Sequence, residues 1–280
     1  MPDVPSSRWS DLAHPALDGS ALSDVLTGTA PLWRPLEVVP EIGSANAELA
    51  ARATRDPEDG GAPEGAVLVA EHQVSGRGRP DRTWTSRPRA GITVSFLLRR
   101  DVPAARRGWV PLLTGVALAE SVAEVAGVLP SLKWPNDLLA ADGRKLAGIL
   151  AETSGTAVVV GVGLNVSTAT AELPETATSL ASVLGSTVDR APVLLAFLRA
   201  VERRYRRWTG VLGDPVSSGL ARDYLAWSST VGSEVAVSMP DWSVLEGTAE
   251  AVDWDGRLIV ATARGPVELA SRDVRHARRV

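Results

Sequence analysis

Two periods of apolar and polar positions run along this chain. Residues 109–125 place Leu112, Leu113, Val116, Ala119 and Val122 near helical spacing, with Ala126 next on the stripe, and predict an apolar-rich helix. Residues 192–208 carry Leu194, Leu198, Val201, Tyr205 and Trp208 on one stripe and four arginines mostly outside it, a second helix. Short apolar runs at 66–71, 92–98, 132–134, 146–152 and 157–163 read as buried strands, with a weaker strand at 37–39. Ser44 fits an N-cap, with Asn46 and Glu48 in the first turn of a helix to about residue 55. Residues 56–64 and 75–91, rich in Gly, Pro, Asp, Glu and Arg, read as loops. Beyond Trp227 the pattern changes to short alternating runs (EVAVSM, GTAEAVDW, RLIVAT, GPVELA) broken by Gly, Asp and Pro, which predict a small all-β barrel or sandwich. The first 30 or so residues hold one short helical stretch at 20–26 and read as a tail or docking arm, too short to build a core of its own. The expected organisation is an arm over 1–32, an alternating α/β domain over 33–227 and a β module over 228–280.

Composition narrows the class. Hydrophobic residues are 45% and charged residues 22% of the 280, which excludes a wholly disordered chain. With no cysteine, disulfides, thiolate metal sites and cysteine nucleophiles are excluded. The three histidines, His14, His72 and His276, are far apart and form no metal-ligand motif. A net charge of −4 argues against a general nucleic-acid binder. The longest apolar stretches, near 110–119 and 157–164, fall short of the roughly 20 residues that span a bilayer. The opening MPDVPSSRWSD has no apolar core of the signal-peptide kind, so the expected location is the cytoplasm, without a membrane partner.

Four stretches carry candidate chemistry, and each also has a plain structural reading. QVSGRGRPDRTW (residues 73–84) sets Arg77, Arg79 and Arg82 among Gly76 and Gly78, after a strand. Guanidinium forks match carboxylate and phosphate oxygens, and glycines let backbone approach a ligand. A solvated basic loop has the same composition. It is not a dinucleotide fingerprint, since Asp81 stands where the third glycine belongs. KWPND (residues 133–137) holds Lys133, Asn136 and Asp137 around Pro135 at a strand end, able to meet phosphate charge and a magnesium ion, or to be a decorated turn. KLAGIL (residues 145–150) puts Lys145 before an apolar strand with Gly148 inside it, a sign of close approach or of a charged strand entrance. In GVGLN (residues 161–165) two glycines at period two clear one strand face for a helix or a ligand.

Taken in order, SAN, QxxGRGR, KWPND, KLAGIL and GVGLN resemble the biotin–protein ligases, also called biotin–acetyl-CoA-carboxylase ligases, over about residues 36–208. The β-rich tail is similar to that family's SH3-like C-terminal domain. The resemblance implies a class II synthetase-like catalytic domain, α/β (α+β) with a mixed sheet flanked by helices, plus a small SH3-like β-barrel. It implies formation of biotinyl-5′-AMP from biotin and ATP with Mg2+, then transfer of biotin to a lysine of an apo carboxyl carrier domain of an acyl-CoA or pyruvate carboxylase. By motif, Ser44, Ala45, Asn46 and Gln73 fall at the biotin ureido end. Arg77, Gly78 and Arg79 close over carboxylate and phosphate, and Arg82 and Trp84 continue that loop on the nucleotide side. Lys145 reaches carboxylate and phosphate, and Lys133 stands near the ATP phosphates. Asn136 and Asp137 lie near the metal and the attacking lysine, while Gly148 and Asn165 line the biotin and adenine pockets. Lys145, Lys133, Arg79 and Asp137 form the expected catalytic set.

Three positions depart from the family pattern: Ala45 replaces a threonine, Asp81 a glycine, and Gly91 a polar residue. Loss of the hydroxyl at Ala45 is expected to weaken the ureido contact by about 1 kcal/mol. A lipoate or octanoate ligase of the same fold is the rival enzyme, opposed by GRGR, KWPND and the polar set Ser44, Asn46 and Gln73. A biotin-sensing DNA-binding regulator would need a winged helix, for which the arm is too short and too acidic, so no DNA partner is expected. An inactive carrier-binding module is opposed by the intact basic set. A monomer or weak homodimer is expected. The Gly- and Arg-rich loop over residues 75–91 is expected to order around ligand, so limited proteolysis there slows on addition of biotinyl-AMP; equal cleavage with and without it overturns this.

Overall fold

Side-chain alternation along the strands gives the main sheet two unlike faces, and that difference creates the site. The structure is a computed structural model that describes residues 14–55, 59–79, 83–85, 87–99, 102–271 and 276–279. Seven strands, β1 (Leu36–Val39), β2 (Val67–Ala70), β3 (Gly91–Leu98), β4 (Ser131–Lys133), β5 (Asp137–Leu139), β6 (Lys145–Ser154) and β7 (Ala157–Asn165), form one mixed sheet in the order β1-β2-β3-β7-β6-β5-β4. Only β1 and β2 run parallel; every other neighbouring pair is antiparallel.

One face of this sheet is apolar throughout. Ile92, Val94, Phe96 and Leu98 of β3, and Val158, Val160, Val162 and Leu164 of β7, enter the main core. Helices α1 (Gly19–Thr29), α3 (Trp109–Ala126), α5 (Arg190–Thr209) and α6 (Leu220–Trp227) supply the partners of that core. The opposite face is covered over one part only. There α2 (Ala45–Ala53), capped by Ser44, sets Leu49 and Ala53 against Leu97, Ala157 and Val159. The rest of that face carries Thr93, Ser95, Gly148, Gly161 and Gly163, small or polar side chains that leave a cleft.

Beyond a short α4 (Leu180–Leu184) and α6, the strands β8 (Glu234–Ser238), β9 (Val244–Val252), β10 (Leu258–Thr262), β11 (Gly265–Leu269) and β12 (His276–Arg279) form a five-stranded antiparallel sheet, ordered β11-β10-β9-β8-β12. This is the small β unit the alternating tail predicts. Val235, Val237, Leu258, Val260 and Ala277 join the same core cluster as Trp134 and Trp109. Polar links reinforce the junction: Trp134 N–H donates to Thr230 Oγ1 at 2.9 Å, Trp109 Nε1–H to Asp253 O at 3.1 Å, and Arg106 pairs with Asp255 at 2.9 Å.

Several sequence expectations change. Residues 14–32 are not a free tail: α1 runs three residues past the predicted helix and buries Leu22 and Leu26 in the main core, with Trp33 behind them. The small and polar residues of α1 (GSALSDVLTGT) gave little periodic signal because only two of its side chains are buried. Strand β5 and helices α4 and α6 escaped the pattern because they are only three to eight residues long. The continuous helical stretch Ala104–Ala126 is 23 residues long and, by length and composition, apolar enough to cross a bilayer. Sequence runs alone understated it, because a five-residue 3-10 turn extends α3. In the fold it is a core helix, packed against the sheet and alongside α5.

Because α1 docks into the core, Leu26→Ala is expected to lower stability by about 2–5 kcal/mol, whereas Val25→Ala, on the exposed side of the same helix, is expected to stay within about 0.5 kcal/mol. Urea denaturation of the two variants beside the parent measures both.

Candidate active site

The uncovered part of the sheet is the floor of a solvent-open cleft. Its wall comes from the N-terminus of α2, the glycine loop after β2, the turn between β4 and β5, the start of β6 and Ala277 of β12. Of the residues singled out from the sequence, Ser44, Asn46, Gln73, Arg77, Gly78, Arg79, Trp84, Lys133, Asn136, Asp137, Lys145 and Gly148 all line it.

The floor depends on side chains that are missing. A Cβ on Gly163 would lie 2.2 Å from Trp84 Cε2, and one on Gly161 would lie 2.8 Å from Asn46 Oδ1. Both distances are far inside contact, so only glycine admits these neighbours. The Trp84 ring therefore rests directly on the sheet, between Gly163 and Gly148. Its Nε1 is buried and has no hydrogen-bond partner. Lys145 Nζ sits 5.9 Å from the ring centroid, within cation–π range. Gly76 and Trp84 close the glycine loop at its neck, with Trp84 N–H donating to Gly76 O at 2.9 Å, and Arg77 bridges Thr83 across it. The resemblance placed Trp84 on the nucleotide side; here its ring is part of the floor.

At one end of the cleft, hydrogen-bond partners fix the polarity of three side chains. The Ala45 backbone N–H donates to Gln73 Oε1 at 2.7 Å. A backbone N–H can only donate, so Gln73 must turn its NH2 elsewhere, and Nε2 lies against Gly76. Ser44 Oγ accepts from Ala47 N–H at 3.4 Å, which leaves its hydroxyl proton to donate. Asn46 Nδ2 donates to Glu152 Oε2, so its Oδ1 points the other way, buried and unpartnered. This end thus offers two donors and one acceptor to a ligand.

Positive charge dominates the remainder. Arg77, Arg79, Lys133 and Lys145 line the cleft and, among the described residues, Asp137 is the one lining carboxylate. Lys145 Nζ pairs with Asp137 Oδ1 at 2.6 Å. Arg79 reaches Asn136 Oδ1 at 3.5 Å and donates to the carbonyl of Ser271, so the loop touches the second sheet. Arg77 lies 3.3 Å from Glu152 Oε1. The KWPND turn, with a cis Trp134–Pro135 bond, is stitched to β6: Ile149 N–H donates to Asn136 O at 2.9 Å, and Asn136 Nδ2 to Ile149 O at 3.0 Å.

Of the other assigned residues, Ala45 and Asn165 do not line the cleft. Ala45 is fully buried with its side chain against Leu68 and Ala70, away from the cleft, so the missing hydroxyl does not open a gap in the ligand contact. Asn165 is on the floor face of β7 but beyond the cleft; its amide donates to Thr178 O at 3.1 Å. It fixes the 176–178 segment, which in turn pairs with the backbone of Lys145. Arg82, with Asp81, lies outside the described residues. Asn136 and Asp137, expected near a magnesium ion, have protein partners here: Asp137 faces the Lys145 ammonium and Asn136 Oδ1 faces Arg79.

Glu152, Thr93 and Ser95 were missed. All three sit in strands that read as continuously apolar. The signal was in the alternation: from Gly148, period two places Leu150 and Glu152 on the same face, and Thr93 and Ser95 pair across to Gly163 and Gly161.

Residues 58–167 match the Biotin/lipoate A/B protein ligase family. The chain is 42% identical to the Biotin--[acetyl-CoA-carboxylase] ligase of Mycobacterium tuberculosis over 272 residues, 96% of this chain and 98% of the relative. It is 33% identical to the Bifunctional ligase/repressor BirA of Bacillus subtilis over 225 residues, 76% of this chain and 66% of the relative. The solved biotin protein ligase from Aquifex aeolicus in complex with biotin and ATP is similar at a TM-score of 0.72 and 26% identity, covering 89% of this chain and 100% of that one.

The glycine floor predicts a steric asymmetry. Gly163→Ala is expected to displace the Trp84 ring and to destabilise the fold by about 1–3 kcal/mol, read as a fall in melting temperature. Gly28→Ala, in helix α1 and with nothing within 4 Å of its Cβ, is expected to keep or raise it.

Proposed function

The chain belongs to the biotin–protein ligases of the biotin/lipoate A/B protein ligase family, and we propose that its cleft joins biotin to ATP as biotinyl-5′-AMP and then passes biotin to a lysine of a carboxylase's carrier domain. The observation that carries this reading is the polarity of the cleft. A cyclic urea presents one carbonyl acceptor flanked by two N–H donors. The Ser44 hydroxyl and Gln73 Nε2 suit the carbonyl, and the buried Asn46 Oδ1 suits an N–H. A dithiolane ring or a plain acyl chain would leave all three unmet, which disfavours the lipoate alternative.

The far end of the cleft suits the chemistry. In the first step a biotin carboxylate oxygen attacks the α-phosphorus of ATP, the bond to the β-phosphate bridge breaks, and pyrophosphate leaves. Two anions must be brought together, so fixed positive charge is the main requirement. Arg77, Arg79, Lys133 and Lys145 supply it. Magnesium bound with the nucleotide would add to this neutralisation of phosphate charge, and Asn136 and Asp137 are the cleft side chains that would face it.

In the second step the carrier lysine nitrogen attacks the acyl carbon, the bond to AMP breaks, and the nitrogen loses a proton. Asp137 is suited to this step. When Lys145 turns to the phosphate, the carboxylate it leaves can orient the incoming ammonium and take its proton. A cleft rich in cations on a chain of net charge −4 also gives anionic substrates a local basin. Residues 33–227 then form the catalytic domain and 228–280 the small domain, with residues 14–32 built into the former.

The test is a mass spectrum of a purified apo carrier domain after incubation with the protein and MgATP, with biotin, lipoate and octanoate in parallel. The expected result is one biotin on one lysine and nothing from the other acids; modification by lipoate or octanoate alone overturns the reading. Lys145→Ala removes phosphate charge and leaves Asp137 unpaired, and is expected to slow adenylation about 10²–10³-fold. An undiminished rate would remove Lys145 from the catalytic set.

A further inference from the structure

This inference rests on the reading that the cleft holds biotin by its ureido ring. Glu152 stands on the floor face of β6, paired across the sheet with Val159 of β7 and half-buried. Its Oε2 accepts from Asn46 Nδ2, and its Oε1 lies 3.3 Å from Arg77 Nη2. An ionised carboxylate has acceptors only. It therefore dictates that the Asn46 amide turn its NH2 toward β6 and its carbonyl oxygen away. That oxygen lies against Gly161, is buried and has no partner. A buried acceptor without a donor is unfavourable, so the site is poised to receive one from a ligand.

We propose that Glu152 is a positioning residue that locks the polarity of Asn46 and thereby makes the ring end of the cleft select a ligand N–H over an acceptor of the same shape. Glu152 itself need not touch the ligand. With a neutral amide at this position, the Asn46 side chain could turn over and offer Nδ2 instead, because the new side chain can donate as well as accept. Arg77, the other partner of Glu152, only donates and has no hold on the Asn46 orientation.

The experiment measures dissociation constants by calorimetry for biotin and for its two cyclic-carbamate isosteres, in which one or the other ring N–H is replaced by oxygen. The parent protein is expected to prefer biotin by about 100-fold over the isostere whose oxygen faces Asn46. In Glu152→Gln that preference is expected to fall to about 10-fold or less, with biotin itself bound about 10-fold more weakly. Arg77→Met is expected to weaken both ligands and keep the preference. An unchanged preference in Glu152→Gln overturns the proposal, as does an equal collapse in Arg77→Met, because Glu152 would then serve only to hold the loop. A parent protein that binds biotin no better than the isosteres overturns the polarity lock while leaving the ligase reading intact. A parent protein that does not bind biotin overturns both.

Discussion

A hydrogen in place of a side chain at Gly161 and Gly163 is the constraint on which the rest of the site depends. With a Cβ at either position the Trp84 ring or the Asn46 amide could not stay where it is. If Trp84 could not rest on the sheet, the neck formed by Gly76 and Trp84 would lose its seat. Arg77 and Arg79 then would not be held over the cleft. The same strand shows valines on its other face, tight in the main core. One sequence run thus does two jobs: its even-numbered residues seal the core and its odd-numbered ones keep the floor flat.

Carboxylates act as organisers around that floor because they can only accept. Glu152 sets the Asn46 amide, and Asp137 holds the Lys145 ammonium at 2.6 Å. A third, Glu71, works below the loop rather than in the cleft. It pairs with Arg190 at 2.6 Å, both nearly fully buried, and accepts the Leu17 N–H at 2.6 Å. Arg190 also donates to Gly91 O at 3.0 Å and Pro15 O at 2.6 Å. Glu71 and Gly91 are the two roots of the glycine loop, so one buried pair ties them to each other, to α5 and to the N-terminal segment. Removing one partner of such a pair leaves a buried charge uncompensated, which makes this anchor stiff.

The second sheet is part of the site. Trp134, in the middle of the KWPND turn, is fully buried and bonded to Thr230. Arg79 reaches Ser271, and Ala277 forms wall. The turn that presents Lys133, Asn136 and Asp137 therefore takes its position from a segment a hundred residues later in the chain.

The sequence by itself determined the α/β-then-β order, the long helices and most strands, because helical and alternating periods are local. It also marked residues that come together in one cleft, since QxxGRGR, KWPND and KLAGIL all contribute to its lining. It missed Glu152, Thr93 and Ser95, placed Ala45 and Asn165 in a cleft they do not line, and left open whether the N-terminal segment is a tail or docks. Which face of a strand is a floor and which is core is decided by what covers it, and α2, α3 and α5 are brought there only by the fold. Likewise the direction of an amide such as Asn46 or Gln73 is set by one partner far along the chain, Glu152 or the Ala45 backbone. Local pattern carries no term for such long-range contacts, so they belong to the tertiary structure alone.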